Sequence, residues 1–184
     1  YNTDDPPVFF RPPQGNLISG NTGNGILISE GATGTTLSGN YVGTTASGTE
    51  PLGNSLDGVA IENATNTSLL GTTFQQSPFV FYNVLAGNSG NGLRITDSSN
   101  TTVQANFMGV GADNETIVAN GENGLLASGS SSTIQAGGVI PMGNVVAGNE
   151  ANGIDIRDTV SGFVSFNNFT GLLAFAGAAP NKLD

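Results

Sequence analysis

Cysteine and histidine are absent from this chain, and its basic residues, one Lys and three Arg, stand against 14 acidic ones. Without Cys nothing reports on redox state, and stacking alone must hold the fold. Without His, the basic side chains open to general acid–base work are few. Lys182 and Arg11 lie near the ends, so Arg94 and Arg157 are the basic groups of the body. A formal charge of -10 leaves no basic patch for nucleic acid. It also disfavours an anionic membrane surface. No apolar run approaches the ~20 residues of a transmembrane helix, so no membrane insertion is expected. Charged residues make up only 10% of the chain, and helix formers such as Lys, Glu and Arg are scarce beside 28 Gly, which argues against helices. The first residue is Tyr1 rather than Met, the expectation being a processed or excised product whose secretory signal has gone.

What the sequence does contain is a repeat. Asn21 to Ile28 reads Asn-x-x-Asn-Gly followed by alternating apolar positions, and Asn54, Asn88, Asn120 and Asn149 open four more such units. Their glycines, Gly25, Gly58, Gly92, Gly124 and Gly153, stand 33, 34, 32 and 29 residues apart. A period in that range marks a stacked-repeat architecture. Asn or Asp before Gly signals a turn, and the alternating run after it signals a half-buried strand. A second strand signal follows at Thr36-Leu37, Thr67 to Leu69, Thr102-Val103, Thr133-Ile134 and Phe163-Val164. A third precedes the next Asn, at Leu17-Ile18, Val84-Leu85, Ile117-Val118 and Val145-Val146. Three short strands per turn predict an all-β, single-stranded parallel β-helix of about five coils, spanning residues 16–171 and ~24 Å long at about 4.8 Å per coil.

Outside the repeat lie an extended Pro-rich arm, residues 1–15, and an apolar tail, residues 172–184. Pro6-Pro7 and Pro12-Pro13 bracket Val8, Phe9 and Phe10 in the arm, and these prolines forbid a helix and disfavour a central strand. Coils alternate in kind: Asn40-Tyr-Val-Gly43 matches Asn106-Phe-Met-Gly109, and loops 44–51 and 110–116 take equivalent places, so both are expected to project from one side. No amphipathic helix is present to cap the last coil. The exposed ends are therefore a template for another chain, and Val8, Phe9, Phe10, Leu172, Leu173 and Phe175 are the candidate assembly residues. The arm either reaches a neighbouring molecule, giving a filament, or folds back over its own first coil.

Gly-Asn-x-x-Asn-Gly-Ile-x-Ile followed by Thr-Thr-Leu-x-Gly-Asn-x-Val-Gly resembles the parallel-β-helix repeat of the pectate-lyase-like superfamily, above all its Asn/Gly-rich secreted and cell-surface versions. The resemblance covers about residues 16–171 and implies the fold and an extracellular or cell-surface location. Such proteins include lyases, polygalacturonases, epimerases, tailspikes, adhesins and non-catalytic surface proteins, so it does not select an activity. The expected role is a non-catalytic structural or surface-display unit that self-associates end to end, with no cofactor. The alternative is a polysaccharide-binding or polysaccharide-cleaving protein whose site is the face bearing Arg94, Asp97, Arg157 and Asp158; otherwise these four make surface ion pairs worth little.

Two columns of polar residues follow from the register. Asn21, Asn54, Asn88, Asn120 and Asn149 should stack as an internal structural ladder, since buried polar groups must find partners. Asn24, Asp57, Asn91, Asn123 and Asn152 form a turn column, where one Asp is too few carboxylates for calcium and no metal is expected. Thr36, Thr67, Thr102 and Thr133 form a third column, whose partners two residues on are too irregular for an ice-binding array. Asn-x-Ser/Thr triplets at Asn63, Asn66, Asn100, Asn114 and Asn168 are candidate N-glycosylation sites in a glycosylating source.

Overall fold

The computed structural model describes residues 15–73, 80–173 and 177–183. They form an all-β parallel solenoid without helix. Val8, Phe9, Phe10 and Phe175 lie outside the described residues. Three sheets make the walls. The first contains β1 (Leu17–Ile18), β4 (Tyr41–Val42), β9 (Asn83–Leu85), β12 (Asn106–Met108), β15 (Val145–Val146) and β18 (Phe169–Thr170). The second contains β2 (Ile26–Ile28), β5 (Val59–Glu62), β10 (Leu93–Thr96), β13 (Leu125–Ser128) and β16 (Ile154–Ile156). The third contains β3 (Thr36–Ser38), β6 (Thr65–Leu70), β11 (Ser99–Gln104), β14 (Ser132–Ala136) and β17 (Ser161–Ser165). Five strands in each of the last two sheets make the five levels that the repeat count predicts, a climb of about four turns. Two short antiparallel pairs, β7 (Thr72–Thr73) with β8 (Val80–Phe81) and β19 (Leu172–Leu173) with β20 (Gly177–Ala178), sit in connections.

Alternation along the strands puts one apolar column per inward position. Ile28, Ile61, Ile95 and Ala127 stack in the second sheet, and Leu37, Leu69, Val103 and Ala136 in the third. With Val42, Leu85, Met108 and Val146 from the first sheet they fill the interior. Each fully buried Leu or Ile contributes roughly 1.5–3 kcal/mol of transfer free energy.

Between its two end strands the first sheet is buried on both faces. Its outward column Tyr41, Val84, Phe107 and Val145 packs under Val110, Ala112 and Val118, and Tyr82 stacks on Phe107 with ring centroids 4.2 Å apart. Loops 44–51 and 110–117 do lie on one side, but they fold over this sheet rather than projecting from it, and Ala112 N donates to Gly48 O across 3.0 Å. Ile117-Val118 therefore belongs to a loop. The first-sheet strand of that coil is Phe107-Met108 instead.

Left-handed residues make the corner between second and third sheets at every level. Glu30, Asn63, Asp97, Gly129 and Asp158 all have φ between 49° and 65°. Asn, Asp and Gly tolerate this region best, which accounts for four of the five. Three or four residues further on, Asn66, Asn100 and Thr133 are also left-handed, at 53–56°.

Candidate functional site

Three asparagine or mixed columns run along the solenoid, one more than the repeat discloses. In the expected ladder each side-chain amide donates to the Oδ1 one level up: Asn21 to Asn54 at 2.8 Å, Asn54 to Asn88 at 2.8 Å, Asn88 to Asn120 at 3.1 Å, Asn120 to Asn149 at 2.9 Å. It extends to Asn181, which accepts from Asn149 at 2.9 Å. The turn column is a second ladder of opposite direction. Asp57 N donates to Asn24 Oδ1, Asn91 Nδ2 to Asp57 Oδ1 at 2.8 Å, Asn123 Nδ2 to Asn91 Oδ1 at 2.9 Å, and Asn152 Nδ2 to Asn123 Oδ1 at 3.1 Å. The unforeseen third ladder precedes the first-sheet strands: Asn16, Asn40, Asn83, Asn106, Asn144 and Asn168, linked by amide bonds of 2.8–3.1 Å. Its signal in the sequence is Asn followed by two apolar residues, as in Asn40-Tyr-Val and Asn144-Val-Val.

Asp57 breaks the amide pattern, and the break organises the outer face of the second sheet. An aspartate cannot donate, so its Oδ1 accepts from Asn91 and its Oδ2 is left for a cation. Arg94, outward on β10, supplies it at 2.6 Å through Nε, and its Nη2 reaches Glu62 at 2.5 Å. The guanidinium thereby bridges Asp57, just before β5, and Glu62, at its end; Ala60, the register partner of Arg94, is fully buried although it is placed outward. Partial burial lowers the Arg94 pKa, but hydrogen bonds and charge from Asp57 and Glu62 outweigh it and hold the group above its ordinary value. Glu122 joins from the next level, accepting from Asn91 Nδ2 at 2.9 Å. Beside this cluster lies an open groove of about 370 Å³ between Asn24, Leu56, Arg94 and Leu126.

The four residues of the alternative face do not come together as ion pairs. Arg157 binds Asp155 through Nε at 2.7 Å, a contact that raises its pKa. Asp97 and Asp158 sit on the left-handed corner, and neither is hydrogen-bonded to an arginine. Their carboxylates accept backbone N–H groups of a neighbouring coil, Ser130 at 2.8 Å and Gly129 at 2.9 Å. The expected Arg94–Asp97 and Arg157–Asp158 pairs are thus replaced by Arg94–Asp57, Arg94–Glu62 and Arg157–Asp155. These two carboxylates therefore fasten one coil to the next.

Of the glycosylation candidates, Asn63, Asn66 and Asn100 are exposed. Asn66 and Asn100 lie within β6 and β11, Asn100 Nδ2 donating to Asn66 Oδ1 and Asn66 Nδ2 to Thr33 Oγ1. Asn114 is buried, and Asn168 is half-buried with its Nδ2 donating to Ala136 O and Ser165 Oγ. The anticipated threonine column is also replaced: the aligned outward residues are Thr36, Ser68, Thr102 and Gln135, while Thr67 is buried inside and Thr133 occupies the left-handed bulge. Of the assembly candidates in the tail, Leu172 is exposed and Leu173 is packed into its own second core. Among the described residues no group of three or more Asp or Glu is placed to hold a metal ion. The chain matches no protein-family model, no curated protein and no solved structure.

Proposed function

We propose that the protein is a non-catalytic, extracellular structural or surface-display β-solenoid that associates end to end. One observation carries this reading: the charged groups that could have formed a site, Asp57, Glu62, Arg94, Asp97, Arg157 and Asp158, are bound into contacts that fasten coil to coil or brace one coil. Three ladders supply the same kind of fastening along the axis, as a load-resisting rod requires. Incubation with pectin, polygalacturonate and alginate, with and without calcium, should release no unsaturated or reducing ends. Turnover abolished by Arg94→Ala would overturn the reading. The open groove beside Arg94 favours one second reading, a polysaccharide-binding face without cleavage. Glycan-array binding lost in Arg94→Ala, with no turnover, would establish it.

A further inference from the structure

The first sheet and its two flanking ladders carry a pattern that continues beyond the molecule. Between paired ladder positions the chain takes a short or a long path: 5 residues from Asn16 to Asn21, 14 from Asn40 to Asn54, 5 from Asn83 to Asn88, 14 from Asn106 to Asn120, 5 from Asn144 to Asn149, and 13 from Asn168 to Asn181. The alternation has a physical cause. Each long path folds over the first sheet and covers the short corner next to it, as loops 44–51 and 110–117 do when Ala112 N meets Gly48 O and Gly87 N meets Val118 O. Two long paths at adjacent levels would compete for one space. The stack begins on a short path and ends on a long one, so a further copy added in the same direction preserves the order.

Two more observations point the same way. The outward column of the first sheet runs Leu17, Tyr41, Val84, Phe107, Val145, Phe169. Its inner members are at most 7% exposed, but Leu17 is 45% and Phe169 43% exposed. At the top of the third ladder, Asn168 Nδ2 turns to Ser165 Oγ, in the place that the next asparagine fills at every lower level. We propose that a second copy of this chain covers the last level, its β1 pairing in parallel with β18 so that Leu17 of the incoming copy lies beside Phe169 and Asn16 beside Asn168. This rests on the end-to-end reading and names its junction. β16 and β17 stand one level below β18, so the junction is made by β1 on β18. Every inter-coil junction within the molecule is the same kind of interface, which is why a second copy is the occupant.

The chain has no cysteine, so Leu17→Cys and Phe169→Cys report this junction cleanly. Paired residues of parallel neighbours stand about 4.8 Å apart, within disulfide reach, whereas the two positions in one molecule are five levels, roughly 24 Å, apart. Under mild oxidation the double variant should give a ladder of covalent multimers, and each single variant should stay uncrosslinked. If the double variant fails to fold, an equimolar mixture of the two single variants should give the heterodimer instead. Covalent dimers of Leu17→Cys with itself, in material that still assembles, would overturn the junction and leave the end-to-end reading standing. Unmodified protein that sediments as monomer at every concentration would overturn both.

Discussion

Asn88 makes clear what a single ladder residue does. Its Nδ2 donates to Asn120 Oδ1 and Val42 O, its N to Asn120 Oδ1, and its Oδ1 accepts from Asn54. Asn88→Ala orphans buried groups on both neighbouring levels and should cost about 3 kcal/mol, read by chemical denaturation; an unchanged midpoint would rule out the ladder as a source of stability. Asp113 tests the loops in the same way. Burial raises its pKa, but Thr116 Oγ1, Thr116 N and Glu115 N all donate to the carboxylate, and the net value lies below the ordinary one. A depressed folded-state pKa contributes stability above the unfolded value, and that contribution is lost as pH falls through the folded one. Asp113→Asn should therefore lower the melting temperature at neutral pH and converge with the parent on acidification; a gap that stays constant down to pH 2 would contradict the assignment. The ladder from Asn21 to Asn149 was legible because a nearby glycine marks each coil. The one from Asn16 to Asn168 was not, because its steps of 24, 43, 23, 38 and 24 residues hide the register behind loops.

At the scale of elements, the first sheet is the one that sequence periodicity describes least well. Tyr41-Val42, Val84-Leu85, Phe107-Met108 and Val145-Val146 are consecutive apolar pairs, the pattern of a strand buried on both faces, and it was the loops folding over them that the alternation rule did not anticipate. Thr67 and Thr133 were misplaced for a related reason. Thr67 stands one position before Ser68, the register partner of Thr102, and the corner before Thr133 is one residue longer than the corner before Asn100; one residue reverses which side chains face out. Glycines at the strand ends permit the tight stacking. Gly43 has φ of 94°, and a Cβ there would meet Ala86 O and Asn88 Oδ1 at 2.3 Å; Gly31, at 79°, would meet nothing within 4 Å. Gly43→Ala should cost about 2–4 kcal/mol, from backbone strain plus collision, and Gly31→Ala about 1 kcal/mol, from strain alone. Equal losses in denaturation would show that coil-to-coil contact at Gly43 is not the constraint.

For the whole molecule, β1, β2 and β3 edge the sheets at one end and β16, β17 and β18 at the other. Those edges carry exposed Leu17, Leu27, Ile156, Val164 and Phe169, an apolar surface at the outermost described strands. Each copy also carries a formal charge of -10, so stacking sets like charges together. Salt within the range that screens over about 10 Å should then lengthen the assemblies, as light scattering would register; shortening with salt would point to charge pairing between copies instead. Fold class and the repeat were legible in the sequence, because turn chemistry and strand alternation are local. The site was legible only in its residue types: which carboxylate meets Arg94 depends on a partner 37 residues away, while Asp97 sits on a left-handed corner. The most direct measurement of the central claim, that the interface joining coils within the molecule also joins molecules, is negative-stain imaging of the purified protein across a concentration series. The account predicts unbranched rods one solenoid wide that grow with concentration; single particles of one molecule's length at every concentration would contradict it.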